Sequence, residues 1–385
     1  MATEVKATTQ LEIVVNRKEL TAELAAAVGV VERHTTIPIL SNLLIDATGE
    51  GALQSVKLSA TDLSQGLTTS VPARIKAPGV VTVPARKLYD YVRLLAGDDV
   101  TIKQEENSWL KIKCGRSNTR MIGMSAASFP QLPQPTDWKA GLEADIFRAF
   151  IAKALVTVAD AEGKYAINAA LLEIAGSRVA MISTDGNRLT RVSKTDCSVA
   201  GASTWRALIP RKALQELASI LRDEAISLIE IGETDNALFF RAGVRTLSSQ
   251  KLAGQFPSYE AIIPSNSGAP LELDVETVSQ SLSRCLLFSE AKTRLLALDI
   301  SAGTLEMKSA GELGETAEQL DIIGGPAETF AIGFDGDFIK EFLAAVEGHV
   351  EFHFSNNAKP ALFVHRTDNG ITHEYVCAPM RRGDK

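Results

Sequence analysis

Apolar positions recur with two periods along this chain, and the periods take turns. In "KELTAELAAAVGVVERH", from Lys18, Leu20, Leu24, Val28 and Val31 share one face at helical spacing. The stretches "NLLIDAT" and "VKLSATD" that follow are short apolar runs closed by turn residues, which predicts strands. Helical spacing returns in "VPARKLYDYVRLL", where Leu88, Val92 and Leu95 form the stripe. Pro84 is expected at the first helical position, where its missing N–H removes no bond. Strands resume with "VTIKQEE" and "WLKIKCG". The predicted unit is α+β: two helices flanked by antiparallel sheets.

That unit is repeated. Thr61-Asp62 and Thr184-Asp185 are 123 positions apart, Pro84 and Pro210 126, and Phe129-Pro130 and Phe256-Pro257 127. Three features in one order at nearly one offset mark an internal repeat. A fainter third copy starts at Leu271, echoing Leu142, and "FDGDFIKEFLAAVEGHVEFHF" from Phe334 stands where the Pro210 helix and its strand stood. The expected domains are 1–137, 138–267 and 268–385, joined through the polar, proline-bearing "PQPTDW" (133–138) and "PSNSGAP" (264–270). The first ten residues are expected to be floppy.

Composition narrows the function classes. The 385 residues are 45% hydrophobic and 23% charged, an ordinary globular balance. A net charge of −7 argues against a polyanion partner but says nothing about where the charges sit. Cys114, Cys197, Cys285 and Cys377 form no CxxC pair, which favours reduced thiols and a cytoplasmic location. No apolar run reaches the roughly 20 residues of a membrane span, and the N-terminus shows no signal-peptide pattern.

Candidate chemistry is sparse. "ISTDGNRLT" (182–190) offers Asp185 as an acid or nucleophile and Arg188 as an anion clamp, which would suit a phosphoryl-transfer or hydrolytic enzyme. Asp62 repeats the motif without the arginine, so the competing reading is turn chemistry, with the carboxylate capping local amides. His349 and His353 lie on a predicted strand, about 13 Å apart, too far for one ion. Asp335 and Asp337 lack the rest of a calcium loop and suit a helix N-terminus. No phosphate loop or nucleophile elbow is present, and no catalytic residue, metal or cofactor is expected. One oddity remains: Arg86 and Lys87, and again Arg211 and Lys212, fall in the first turn of their helices, against the macrodipole. They are either solvated or held toward a polyanion such as a phosphate backbone.

"TTIPILSNLLIDA", "LSATDLSQGL", "VPARKLYDYVRLL", "SFPQLP", "STDGNRLT" and the terminal "YVCAPMRR" together resemble the bacterial DNA polymerase III beta subunit, the DNA sliding clamp, from about Leu11 to Arg382. The resemblance implies three clamp domains per chain and a head-to-tail ring of two chains. Duplex DNA would thread the hole without sequence readout, and the ring would confer processivity without catalysis. It implies a peptide-binding cleft built from Ile167, Thr184, Gly186, Asn187, Arg188, Leu189, Pro257, Ile262, Val376, Pro379, Met380 and Arg381. Leu189 would be its floor and Arg188 its rim. The implied occupants are short linear motifs of the replicative polymerase alpha subunit, the clamp loader, other polymerases and repair proteins. Ala261 and Ala378 stand where the family commonly has a basic and a bulky apolar residue. DNA would be faced by Arg33, His34, Arg86, Lys87, Arg93, Arg148, Lys153, Arg211, Lys212 and Lys340, and the seam between chains would hold Met121, Leu287 and Phe288. The implied location is cytoplasmic, at the nucleoid, with no membrane contact. The alternatives are a repeat-built peptide scaffold that never meets DNA and the enzyme using Asp185 and Arg188.

Overall fold

The computed structural model describes residues 10–381 apart from 33–34, 49–53, 161–165, 202–203, 265–269, 324–328 and 355–356. The predicted tail before residue 10, most of the second linker, and Arg33 and His34 therefore lie outside the described residues.

The first repeat runs β1 (Glu12–Asn16), α1 (Arg17–Val30), β2 (Asn42–Asp46), β3 (Ser55–Thr61), β4 (Gln65–Ala77), β5 (Val80–Pro84), α2 (Ala85–Arg93), β6 (Asp99–Gln104), β7 (Trp109–Cys114) and β8 (Ser117–Ile122). The second runs β9 (Trp138–Glu143), α3 (Ala144–Ala154), β10 (Ala169–Ala175), β11 (Arg178–Thr184), β12 (Arg188–Lys194), β13 (Ala200–Gly201), β14 (Thr204–Pro210), α4 (Arg211–Ile220), β15 (Leu228–Glu233), β16 (Ala237–Ala242) and β17 (Arg245–Gln250). The third runs β18 (Leu271–Asp274), α5 (Val275–Leu287), β19 (Leu295–Ser301), β20 (Thr304–Gly311), β21 (Gly314–Asp321), β22 (Phe330–Asp335), α6 (Gly336–Leu343), β23 (His349–His353), β24 (Ala361–Arg366) and β25 (Ile371–Cys377).

Contacts divide the chain into two compact units, one of Met1–Ala144 with Gln215–Lys251, the other of Asp145–Leu214 with Leu252–Lys385. The boundary cuts the second repeat, because its last strands pair with the first repeat and its middle strands with the third. In unit 1 the sheet order is β9-β15-β16-β17-β4-β1-β6-β7-β8, with β3 also on β4 and β2 between β3 and β5. In unit 2 it is β14-β10-β11-β12-β25-β24-β23-β18, beside a four-stranded sheet β21-β20-β19-β22. Two antiparallel joints carry the sheets across repeat boundaries. At the first, β17 lies on β4 with Ser248 opposite Gly66; at the second, β25 lies on β12 with Val376 opposite Leu189.

Local chemistry explains the helices, with two corrections. Asn16 caps α1 by accepting from the amides of Lys18 and Glu19. The buried stripe of α1 is Leu20, Glu23, Leu24, Ala27 and Val30, and Val28 is only half-buried. A hundred degrees of rotation per residue carries Val28 past the edge of that stripe, and a buried glutamate takes a place the pattern reserved for apolar residues. Pro84 and Pro210 are not at the first helical position. Each closes a strand, Pro84 opposite Asn42 and Pro210 opposite Ala169, and the helix starts one residue later.

The first-turn arginines do something the sequence did not suggest. Arg86 reaches back to the carbonyls of Val28 (3.3 Å) and Val31 (3.0 Å), at the end of α1. Arg211 makes the same contact just past the end of α3, donating to the carbonyls of Leu155 (3.4 Å) and Val158 and pairing with Asp160 at 2.9 Å. In the third repeat Arg294 donates to Leu286 O at the end of α5 (3.1 Å) and pairs with Asp337 (2.8 Å). Orphan carbonyls at the negative end of a helix are good partners for a guanidinium. Arg86 and Arg211 thus cap the preceding helix, a role their place in the first turn did not suggest.

The core of the third repeat is aromatic. Phe352 stacks on Phe363 with ring centroids 4.4 Å apart, and Phe342 on Tyr375 at 4.8 Å. All four cysteines are buried thiols, none of them in a disulfide among the described residues. Among the described residues, no cluster could hold a metal ion and no helix is long and apolar enough to cross a membrane.

Candidate functional site

The two Thr-Asp motifs form one and the same turn. Thr184 Oγ1 donates to Arg188 O (2.7 Å) and accepts from Gly186 N (3.1 Å); Thr61 Oγ1 donates to Gln65 O (2.6 Å) and accepts from Leu63 N (3.0 Å). Asp185 Oδ1 accepts from the amides of Asn187 (3.0 Å) and Arg188 (3.1 Å), and Asp62 Oδ1 from the amide of Gln65 (2.7 Å). The residue after the aspartate has a left-handed backbone in both copies, Gly186 at φ 97 and Leu63 at φ 76. A carboxylate that holds its own backbone is a turn residue, so the geometry favours turn chemistry for Asp185. Each turn also receives the strand of the next repeat: Ala378 N donates to Asn187 O and Gln250 N to Ser64 O, both at 2.9 Å.

Beyond the turn the copies part. Gln65 and Arg188 occupy the same register position, opposite Ser249 and Cys377 respectively. Arg188 is not an open rim, since its side chain is only 10% exposed. Its Nε donates to Asp185 Oδ2 at 2.8 Å, and its Nη1 lies 2.8 Å from Glu341 Oε2 and 3.4 Å from Tyr375 Oη. The guanidinium sits 4.2 Å from the centre of the Phe338 ring. Tyr375 in turn donates to Phe338 O at 2.9 Å, and burial pushes its phenol above the usual range.

Next along the strand, Leu189 and Val376 face each other across β12 and β25, each 2% exposed. They belong to an apolar patch on one face of the sheet, with Leu171, Ile182, Leu362 and Val364. Phe256, Tyr259 and Ile263 of the connector between β17 and β18 lie against that patch. Tyr259 is anchored there by a 2.8 Å bond to Glu173, and burial together with that bond raises its phenol pKa. The connector leaves a cavity of about 390 Å³ on one side, lined by Leu171, Leu208, Phe256 and Pro257. Another of about 460 Å³ is lined by Arg191, Ile263, Leu362 and Val364.

The remaining expected cleft residues distribute around this patch. Thr184 is buried, Ile167, Pro257, Pro379 and Met380 are half-buried, and Gly186, Asn187 and Arg381 are exposed. Ile262 is 44% exposed. The tail is tied down by Met380 N donating to Gly333 O at 2.8 Å. Phe338, Glu341, Tyr375, Leu171, Leu362 and Tyr259 were not foreseen. Tyr375 stood inside a quoted motif, "YVCAPM", whereas nothing local in α6 marks Phe338 and Glu341 as neighbours of Arg188, about 150 residues earlier.

Of the expected DNA-facing cations, Lys87, Arg93, Lys212 and Lys340 are exposed and Arg148 is half-buried. Arg93 pairs with Asp90 at 3.2 Å and Arg148 with Asp145. Lys153 does not fit the expectation. Its ammonium donates to Ala345 O at 2.9 Å beyond the end of α6, and burial lowers its pKa. At the expected seam, Leu287 is 76% and Phe288 39% exposed, while Met121 is half-buried.

Three repeats joined by shared strands, with an apolar patch at the second joint, define a clamp-type protein. The family descriptions "DNA polymerase III beta subunit", N-terminal, central and C-terminal domain, match residues 11–133, 141–258 and 260–381 in turn. The chain belongs to the DNA polymerase III beta subunit family, the DNA sliding clamps, whose members are non-catalytic processivity subunits. It is 31% identical to the beta sliding clamp of Pseudomonas aeruginosa over 379 residues, covering 96% of this chain and 100% of that one. It is 28% identical to that of Caulobacter vibrioides over 381 residues, with 96% and 100% covered. Among solved structures it superposes on a Pseudomonas aeruginosa sliding clamp bound to griselimycin with a TM-score of 0.88, 28% identity, and 97% and 100% of the chains covered. The Caulobacter crescentus clamp gives a TM-score of 0.88 at 26% identity, with 98% and 100% covered.

Proposed function

We propose that two copies of this chain close into a ring around duplex DNA and tether the replicative polymerase to it. The observation that carries this is the pattern of strand exchange. The last strand of the second repeat, β17, pairs with β4 of the first, and the last strand of the third, β25, pairs with β12 of the second. The same rule leaves over β8, the last strand of the first repeat, and β21, the counterpart of β4 and β12 in the third. Among the described residues β8 pairs only with β7 and β21 only with β20. A free sheet edge is a template for another chain. A second copy would supply both missing pairings, and two head-to-tail joints close a ring. Charge supports the match: exposed Glu315 and Asp321 lie on β21, and exposed Lys113, Arg116 and Arg120 lie on or beside β8. Exposed Phe288, against the β20–β21 turn, and Ile122, at the end of β8, add apolar contact.

The ring holds DNA by topology, and Lys87, Arg93, Arg148, Lys212 and Lys340 remain as cations for sequence-independent phosphate attraction. The apolar patch around Leu189 and Val376, edged by Gly186, Asn187, Ile262, Pro379, Met380 and Arg381, takes short linear motifs of the polymerase alpha subunit, the clamp loader and repair proteins. The work is cytoplasmic, at the nucleoid. The test is retention on DNA after loading by a clamp loader. Nicked circles should hold the chain, and linearisation should release it; equal retention on both overturns the ring reading.

A further inference from the structure

We propose that the connector between β8 and β9 is a tethered docking peptide: Leu132 fills the first joint as a partner's apolar anchor fills the second, and so keeps the first joint closed to partners. This carries the docking reading above to a different site. The two joints share one turn and one register, with Gly66 and Ser248 standing where Leu189 and Val376 stand. What sits over that pair in the first joint comes from the chain itself. A side-chain carbon built on Gly66 would lie 2.7 Å from Leu132 Cδ2 and 2.9 Å from Ser248 Oγ, so the leucine rests directly on the small-residue floor. Leu132 is half-buried between exposed Gln131 and Pro133. Around it remains a cavity of about 370 Å³, edged by Leu63, Pro130, Pro133 and Asn236.

The segment around Leu132 is held as a bound peptide is held, by a side chain. Among the described residues no backbone hydrogen bond joins residues 130–136 to the rest of the chain. Gln134 Nε2 donates to Leu132 O at 3.5 Å, within the segment itself. Both ends are fixed: Phe129 is buried against Ile39 and Leu40, and β9 begins at Trp138. Pro130 and Pro133 restrict the backbone to an extended course, which lowers the entropy lost on seating one side chain. The second connector differs. The 127-residue offset that relates Phe129-Pro130 to Phe256-Pro257 puts Tyr259 in the place of Leu132. Tyr259 is bonded to Glu173, and Gln255 O accepts from Ala166 N at 3.3 Å, so that connector is tied into its own repeat. An anchor on a short tether acts at an effective concentration on the order of millimolar, which excludes a free peptide of equal affinity at micromolar levels. Two joints of one design thus give one open docking site per chain.

The experiment uses the full chain, its variants Leu132→Gly and Leu132→Ala, and a fluorescein-labelled peptide of residues 128–135, SFPQLPQP. A second peptide carries glycine in place of the leucine. Fluorescence anisotropy measures binding, and hydrogen exchange of β4 and β17 locates it. The leucine peptide should protect β4 and β17 in both variants and bind them about ten-fold more tightly than the glycine peptide. It should leave these strands of the wild type unprotected. No added protection in folded variants, or equal protection in the wild type, overturns the inference. Loss of the unit 1 fold in both variants makes Leu132 a core residue and overturns it too. A third labelled peptide, with Leu and Phe anchors, reads the second joint of the wild type. If it protects β12 and β25 while the variants gain nothing at β4 and β17, this inference fails and docking stands. If it binds nowhere, the docking reading fails, and the first joint is decided by the other two peptides alone.

Discussion

The two joints are built on one turn and locked by opposite chemistry. At the first, Arg245 of β17 reaches Glu23 of α1, at 2.7 and 2.8 Å, and Asp223 at 3.5 Å, and Thr69 donates to the same glutamate at 2.6 Å. The Arg245 and Glu23 side chains are each 11% exposed. In the same register position at the second joint stands His373, 1% exposed, with neither ring nitrogen bonded among the described residues and Phe342 5.3 Å away. On the opposite face of the sheet the contrast reverses. The first joint has Gly66 and Ser248 where the second has Leu189 and Val376. A charged lock behind a small-residue face makes a joint that only holds. An apolar lock behind a Leu–Val face makes one that, on the docking reading proposed above, also has something to offer a partner.

The comparison can be broken most severely at the charged lock. Arg245→Met leaves Glu23 buried and uncompensated, which should destabilise unit 1 by about 3–5 kcal/mol, whereas Glu23→Leu with Arg245→Met should recover most of that loss. Urea unfolding with hydrogen exchange read separately for peptides of each unit checks both, and a double variant as unstable as the single one refutes the account. Leu189→Ala should cost unit 2 about 2–4 kcal/mol through lost burial and the cavity left behind. The converse change, Gly66→Ala, should also cost unit 1 about 1–3 kcal/mol. A methyl group there would lie 2.7 Å from Leu132 Cδ2 and 2.9 Å from Ser248 Oγ, so the first joint has no room for an apolar floor.

Acid should separate the joints. Burial lowers the pKa of His373 and of His365, the residue opposite it, and Lys153 faces both while Glu347 O accepts from His365 at 2.8 Å. Both histidines hold a proton less well folded than unfolded. Their contribution is complete above about pH 6.5 and is lost as pH falls below it, by about 1.4 kcal/mol per pH unit per group. Unit 2 should therefore open first on acidification, and His373→Leu should flatten that dependence; identical acid profiles for the variant and the wild type would count against the assignment. The smallest effect concerns the turn. Leu63→Gly should stabilise unit 1 by about 0.5–1 kcal/mol, since glycine adopts φ 76 without the penalty of a side chain, and Gly186→Leu should cost unit 2 a similar amount. Unchanged urea midpoints in both would show that the turns are not strained.

Much of this was legible in the order of residues, and the reason is range. Helix and strand periods and the Thr-Asp turn depend on neighbours within about four positions, so the chain writes them locally, and the internal repeat is legible because each copy writes the same local patterns again. The same locality made the motif readable as a possible active site until its second copy was noticed. What tertiary structure decided involves partners far apart. Arg86 and Arg211 looked like cations set against a macrodipole, and only packing shows each at the far end of the preceding helix. Glu23 looked misplaced on an apolar face until Arg245, 222 residues later, met it. Arg188 looked like a rim because its partners on α6 and β25 lie about 150 and 187 residues away. Side chains that meet across such separations are chosen by how sheets and helices stack, and no local period records that choice.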